Sequence, residues 1–213
     1  MQRFYETRQA LIESAVRVVA RDGLERTTTR SISVDSGLNE AYIYRAFADK
    51  DDLLRAALHL EDARLIFYIV KLLPAMSDTS LSWHDRCYNL FKPVWDFIIE
   101  EPDDFVFYVR YYYSANFNRF AAEEHNESFR TLENAMASVF KPDVPVSIIL
   151  HQVFETMLSY GLRVIDGTLP NTEDSCRLAF EQIYVFIVPN ILEDVLNGGE
   201  VNMSEVEYSD DAL

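Results

Sequence analysis

From Leu11 to Leu192 the apolar residues recur at three- and four-residue intervals, and alternation at every second residue is scarce. That spacing lines one face of a helix rather than one face of a strand, so it restricts the chain to an all-α fold. Leu11, Ala15, Val18 and Val19 form the stripe of a first helix, and Gly23 supplies its stop. Thr28 can cap a short second helix running through Ile32 and Val34 to Ser36 and Gly37. Asn39 can cap a third, "EAYIYRAF", and Asp49 with Asp52 can open a fourth that reads to about Lys71, closed by Pro74. Further helices are expected over 82–100, 103–119, 123–140, 145–166 and 173–196. Pro102 and Pro145 fall at helix starts, and Pro189 is expected to kink the last helix.

The charge is uneven. The 213 residues carry a formal −16, yet residues 1–50 hold 8 Lys/Arg against 7 Asp/Glu, a net of +1, which leaves 11 against 28, a net of −17, for 51–213. A near-neutral head can approach a polyanion that the acidic body repels, although the same excess also serves ordinary solubility. Cys87 and Cys176 are the only cysteines, too few for a disulfide framework or a metal knuckle. No apolar leader pattern opens "MQRFYETRQ" and no 18-residue uncharged apolar run occurs, so no membrane span and a cytoplasmic location are expected. The expected division is 1–48, 49–199 and a tail over 200–213 with five acids and no base, expected to be disordered.

The basic and aromatic residues of the head collect in "RTTTRSISVDSGLNEAYIYRAFADKDDLL", residues 26–54. Two short helices about a turn at Gly37 are what a helix-turn-helix requires, the second helix entering the major groove of DNA. Ile43 and Phe47 point inward with Ile32 and Leu38, which leaves Tyr42, Arg45 and Ala46 on other faces. Arg45 offers a fork for guanine or phosphate. Tyr44 and Thr28 can give hydroxyls to phosphates, and Lys50 a point charge.

With these motifs, residues 8–58 resemble the DNA-binding domain of the tetracycline-repressor (TetR) family, through "ESAVRVVARDG", "TTTRSI", "SGLNEAYIYRAF" and "KDDLLRAAL". The resemblance implies an N-terminal three-helix bundle with the helix-turn-helix, followed by a larger helical ligand-binding and dimerisation domain. It matches Arg30 to a base-reaching position and Thr28, Tyr44 and Lys50 to phosphate contacts. Asn39, Ala41, Tyr42 and Arg45 match the groove-facing part of the recognition helix. Glu40 and Tyr42 depart from the family pattern, where a non-acidic residue and a small threonine are usual. Glu40 can accept from a cytosine amino group or stand as a solvated acid at the helix start.

In the body, "PVSIILHQVFETMLSYGLRVID" has only the narrow polar stripe Ser147, His151, Glu155, Ser159 and Arg163, and "CRLAFEQIYVFIVPNIL" is apolar on most faces. Two such helices call for cover from a second copy, and the resembled family dimerises through its last two helices. A symmetric pair of recognition helices ~34 Å apart would read a palindromic double-stranded DNA operator. The middle helices are rich in rings. Phe107, Tyr111 and Phe117 share an expected face, distinct from Phe105, Tyr108 and Tyr112. With Phe91, Trp95 and Phe154 the first set is the candidate wall of a pocket for a small lipophilic or cationic effector. The acidic body is alternatively a docking surface for a protein partner.

Enzymatic readings find little support. His84 and Cys87 lie three apart without an orienting third group or oxyanion motif. His59 with Asp62, and His125 near Glu123, Glu124 and Glu127, have metal-ligand chemistry but also the look of surface histidines among helix acids. No cofactor motif is present, and the expectation is a ligand-responsive regulator, by resemblance a repressor, with no catalytic residues and no cofactor.

Overall fold

The computed structural model describes residues 2–201, so most of the expected tail lies outside the described residues. Among the described residues ten α-helices run Gln2–Asp22 (α1), Thr29–Ser36 (α2), Ile43–Ala46 (α3), Lys50–Leu72 (α4), Trp83–Glu100 (α5), Pro102–Tyr112 (α6), Ala122–Met136 (α7), Val146–Ile165 (α8), Glu173–Ile187 (α9) and Glu193–Leu196 (α10). No strand occurs among the described residues. An antiparallel bridge joins Phe140 and Ile191, with Lys141 N–H donating to Asn190 O at 2.9 Å. The contacts of the described residues form two compact units, one from the segments up to 63 and 101–126, the other from 64–100 and from 127 onward.

In the first unit, α1, α2 and α3 close on Leu11, Ile12, Ala15, Val18, Val19, Ile32, Ile43 and Phe47, all buried. Leu53, Leu54, Ala57 and Leu58 of α4 are buried as well. α6 packs along α1, an association that local spacing could not announce. Its Arg110 donates through Nη1 to Val19 O at 2.6 Å and Ala20 O at 3.0 Å at the C-terminal end of α1, where Val19 O also accepts from Gly23 N–H at 2.9 Å.

Glu61 and Asp62 of α4 are buried in the same unit. His125 Nδ1 of α7 lies 3.1 Å from both Asp62 oxygens, and the Tyr108 hydroxyl of α6 donates to Asp62 Oδ1 at 2.5 Å. Burial, then the neighbouring Asp62 charge, push the Tyr108 phenol well above its ordinary pKa, so it stays a donor. His125 is thus a core residue holding a carboxylate, not the surface histidine expected from the acids beside it in sequence.

Two expected helices end differently. The pattern at 103–119 breaks after Tyr112, because the Ser114 hydroxyl donates to Tyr111 O at 2.6 Å and accepts from Phe117 N–H at 3.3 Å. A π-turn over Phe117–Ala121 then leads into α7 and resets the register. Phe117 therefore meets Tyr112 (ring centroids 4.6 Å) and His125 (5.2 Å) instead of continuing the Phe107–Tyr111 face. At the other break, Pro189 ends the long helix instead of kinking it. α9 stops at Ile187, and Val188–Asn190 form a 3₁₀ turn where the ring has removed an amide donor.

The second unit has an apolar centre of Leu73, Leu132, Ala135 and Leu150. Phe91 lies against Trp95 and Phe180 at 5.8 and 5.5 Å between centroids, and Phe154 against Phe129 at 5.2 Å. Arg86, fully buried in α5, donates to Leu81 O and Gly199 O, each at 3.1 Å, and to Gly198 O at 3.4 Å, which pins the chain after α10.

Candidate nucleic-acid interface

The helix-turn-helix is assembled by local chemistry. Thr28 accepts from Ser31 N–H at 3.1 Å while Ser31 accepts from Thr28 N–H at 2.9 Å, a reciprocal cap that opens α2. Gly37 closes α2 at φ 67°. No atom lies within 4 Å of where a Cβ would sit, so the backbone angle and not space selects glycine. In the turn, the Ser33 hydroxyl donates to Leu38 O at 2.5 Å and Leu38 N–H donates to Ser36 Oγ at 3.3 Å. Asn39 Oδ1 accepts from Ala41 N–H at 2.9 Å, as a cap should. The turn it opens, Glu40–Tyr42, is 3₁₀, and only Ile43–Ala46 is α-helical. Asp49 Oδ1 accepts from Asp52 N–H at 2.9 Å, which caps α4, and Asp52 Oδ2 accepts from Ala48 N–H at 3.0 Å, which holds the residue before the cap.

Ile43 and Phe47 are the inward residues of the second element, while Leu38 is half-buried. Ala41, Tyr42, Tyr44 and Arg45 are exposed on the other side, and Arg45 lies over the Tyr42 ring at 5.3 Å. Thr28 and Arg30 face solvent around a depression also lined by Arg21, Ser31, Val34 and Asp35. Two site residues have partners that the sequence did not disclose. The Glu40 carboxylate accepts from the Thr29 hydroxyl, binding the recognition segment to α2. Lys50 Nζ donates to Thr27 O at 2.9 Å, which leaves two of its three donors for a phosphate.

Arg17 and Arg21, missed in the sequence reading, orient the first helix of the motif. Arg17 Nη2 lies 2.9 Å from Asp35 Oδ2 and Arg21 Nη1 3.1 Å from Asp35 Oδ1, so α1 grips α2. Their four-residue spacing was a visible basic stripe, but its partner on another helix was not. Partial burial raises the Asp35 pKa, and the hydrogen bonds from Arg21 and Arg17 outweigh it, holding the carboxyl below its ordinary range. A depressed folded pKa stabilises fully above the unfolded value, about 3.9, and that stability is lost as pH falls through the folded value. In acid titrations followed by circular dichroism, Asp35→Asn should be less stable than the native chain at pH 7, and the gap should narrow below about pH 4.

The six candidate pocket residues are all buried. Phe107, Tyr111 and Phe117 belong to the first unit, and Phe91, Trp95 and Phe154 to the second. The Tyr111 hydroxyl has no hydrogen-bond partner among the described residues, and burial pushes its pKa up to about 12. Of the pair His84 and Cys87, the histidine has a carboxylate partner that the sequence did not disclose, whereas the surroundings of the cysteine disfavour its thiolate. His84 Nε2 lies 2.8 Å from Glu181 Oε1, while burial pushes the Cys87 thiol up to about 12 and keeps it protonated. Among the described residues no three His, Cys, Asp or Glu side chains gather as a metal site, and no helix is long and apolar enough to cross a membrane.

A helix-turn-helix with solvent-facing aromatic and basic groups defines a transcription-factor type of DNA-binding protein. Residues 11–57 match the sequence model of the "Bacterial regulatory proteins, tetR family". The HTH-type nicotine-responsive transcriptional repressor HdnoR of Paenarthrobacter nicotinovorans is 35% identical over 75 residues, which are 35% of this chain and 37% of that protein. The match therefore spans little more than a third of that relative. The fold extends further. A TetR family transcription regulator of Marinobacter aquaeolei VT8 superposes with a TM-score of 0.68 at 21% identity, over 86% of this chain and 96% of its own. The fatty acid degradation regulator FadR of Bacillus halodurans does so at 0.63 with 13% identity, over 83% and 94%.

Proposed function

We propose that the protein is a transcriptional repressor that binds a palindromic operator as a homodimer and is released by a small lipophilic or cationic effector. The observation that carries the DNA-binding part is the group Thr28, Arg30, Asn39, Ala41, Tyr42, Tyr44 and Arg45, held in solvent by a motif anchored on the buried Ile32, Ile43 and Phe47. Hydroxyls and guanidinium groups of this kind are suited to phosphate and base-edge contact. Pairing is supported by an exposed apolar stripe on α9, where Leu178, Val185 and Phe186 lie on one face, and by Ile148 on α8. Solvent is an unfavourable neighbour for such a stripe, and a second copy would cover it. The effector class rests on the acid excess of the body and the wealth of rings that can receive a cation. One relative, matched over 37% of its length, is named for its response to nicotine. An effector acts only if it binds the released arrangement better than the DNA-bound one.

The test is selection of duplex DNA from a random pool by the purified protein, beside an Arg45→Ala, Tyr44→Phe double variant. A two-fold symmetric site that the variant fails to enrich is the expected result. No enrichment at low salt, by protein refolded free of co-purified molecules, would overturn the reading.

A further inference from the structure

Resting on the DNA-binding reading, we infer that Arg45, poised over Tyr42, reads a guanine in each half of the operator, and that Glu40 reads no base. The fold takes some of the hydrogen-bonding groups of this surface and leaves others to a ligand. In the segment 39–46, Asn39 Oδ1 is committed to Ala41 N–H. A Glu40 oxygen is committed to the Thr29 hydroxyl, which ties this acid back toward α2. No hydrogen bond or ion pair among the described residues engages Arg45, although the chain is rich in carboxylates. Its donors remain available, together with the Asn39 amide N–H groups and the Tyr42 and Tyr44 hydroxyls. What this surface presents is therefore dominated by donors.

The base edges of the major groove differ in what they accept. Guanine presents two acceptors, O6 and N7, adenine one acceptor and one donor, and cytosine a donor. A surface rich in donors and led by a guanidinium fits guanine and has little to offer cytosine. Glu40, the side chain with the chemistry to take a cytosine amino group, has one oxygen taken by Thr29, and that contact ties the carboxylate toward α2. The Tyr42 ring adds a positional constraint. A guanidinium 5.3 Å from the centroid of a half-exposed ring is confined in a way that a free arginine is not, so less freedom is lost when its two N–H groups meet O6 and N7. Tyr42 stands where a small threonine is usual in the resembled pattern, and supporting the arginine accounts for its size.

The experiment takes the site selected by the native protein and replaces each guanine in turn, symmetrically in both halves, by 7-deazaguanine, which keeps pairing but lacks N7. Affinities are read by fluorescence anisotropy at fixed salt. One guanine per half-site is expected to lose roughly 10- to 100-fold with the native protein, and nothing further with Arg45→Ala. Arg45→Gln, an exposed change, is expected to move the selected base at that position from guanine to adenine, which glutamine pairs through N6 and N7. Glu40→Gln should leave the preferred bases unchanged. The inference is overturned by a symmetric site at which no 7-deazaguanine weakens binding in an Arg45-dependent way, by an Arg45→Gln variant that selects the native site, or by a Glu40→Gln variant that selects different bases. The absence of any selected site would be a different failure, that of the DNA-binding reading itself.

Discussion

A Leu178→Asp, Val185→Asp variant is expected to sediment as a monomer at micromolar concentration and to lose operator affinity by roughly 100-fold or more. Both side chains stand in solvent on α9, with 46% and 69% of their surface accessible, so the substitutions leave the core of the chain intact. Leu178, Gln182, Val185 and Phe186 are spaced four, three and one apart, which puts them on one helical face. Burying a leucine or valine side chain is worth about 1.5–3 kcal/mol, and a two-fold interface counts each residue twice. Replacing these contributions with four buried carboxylates reverses their sign. Loss of the pair would leave single recognition segments, each able to hold only half a site. Sedimentation velocity reads the first consequence and anisotropy the second, with far-ultraviolet circular dichroism as the control for folding. A variant that still sediments as the native chain does would rule α9 out as the pairing face.

The second large effect concerns the buried triad of the first unit. His125→Leu removes the imidazole that meets both oxygens of Asp62 and leaves that carboxylate in the core with the Tyr108 hydroxyl. Breaking a buried pair on one side costs about 3–5 kcal/mol, because the remaining charge keeps its desolvation penalty. Urea unfolding should show a loss of that size. The double variant His125→Leu, Asp62→Asn should recover part of it, since an amide carries no charge to strand. Equal losses in the single and double variants would mean that the stabilisation comes from packing of the His125 ring against Tyr112 and Phe117, whose centroids lie 5.5 and 5.2 Å away.

What was legible in the sequence was local. The caps at Thr28, Asn39 and Asp49, the stop at Gly37 and the inward pair Ile43 and Phe47 each depend on residues within five positions, and each is present in the fold. Contacts between distant segments were not legible. Thr29 reaches Glu40, Lys50 reaches Thr27, Arg110 caps α1, and His125 finds Asp62 across 63 positions. In sequence His125 sits among glutamates and looks like a surface residue. Its burial follows from the π-turn that sets the start of α7, a feature of the backbone with no residue signature of its own. The same turn moved Phe117 away from the face expected for it. At the interface the difference matters more, because the residue types of segment 39–46 could be read in advance whereas the hydrogen bonds they had left to offer could not.

The most direct test of the account is the mass of the complex between the native protein and the selected duplex, measured at stoichiometric concentrations beside a duplex carrying one half-site. Two chains on the full site, with the half-site bound roughly 100-fold or more weakly, is the result predicted for paired recognition segments reading successive major grooves. One chain on the full site, or equal affinity for the half-site, would contradict it.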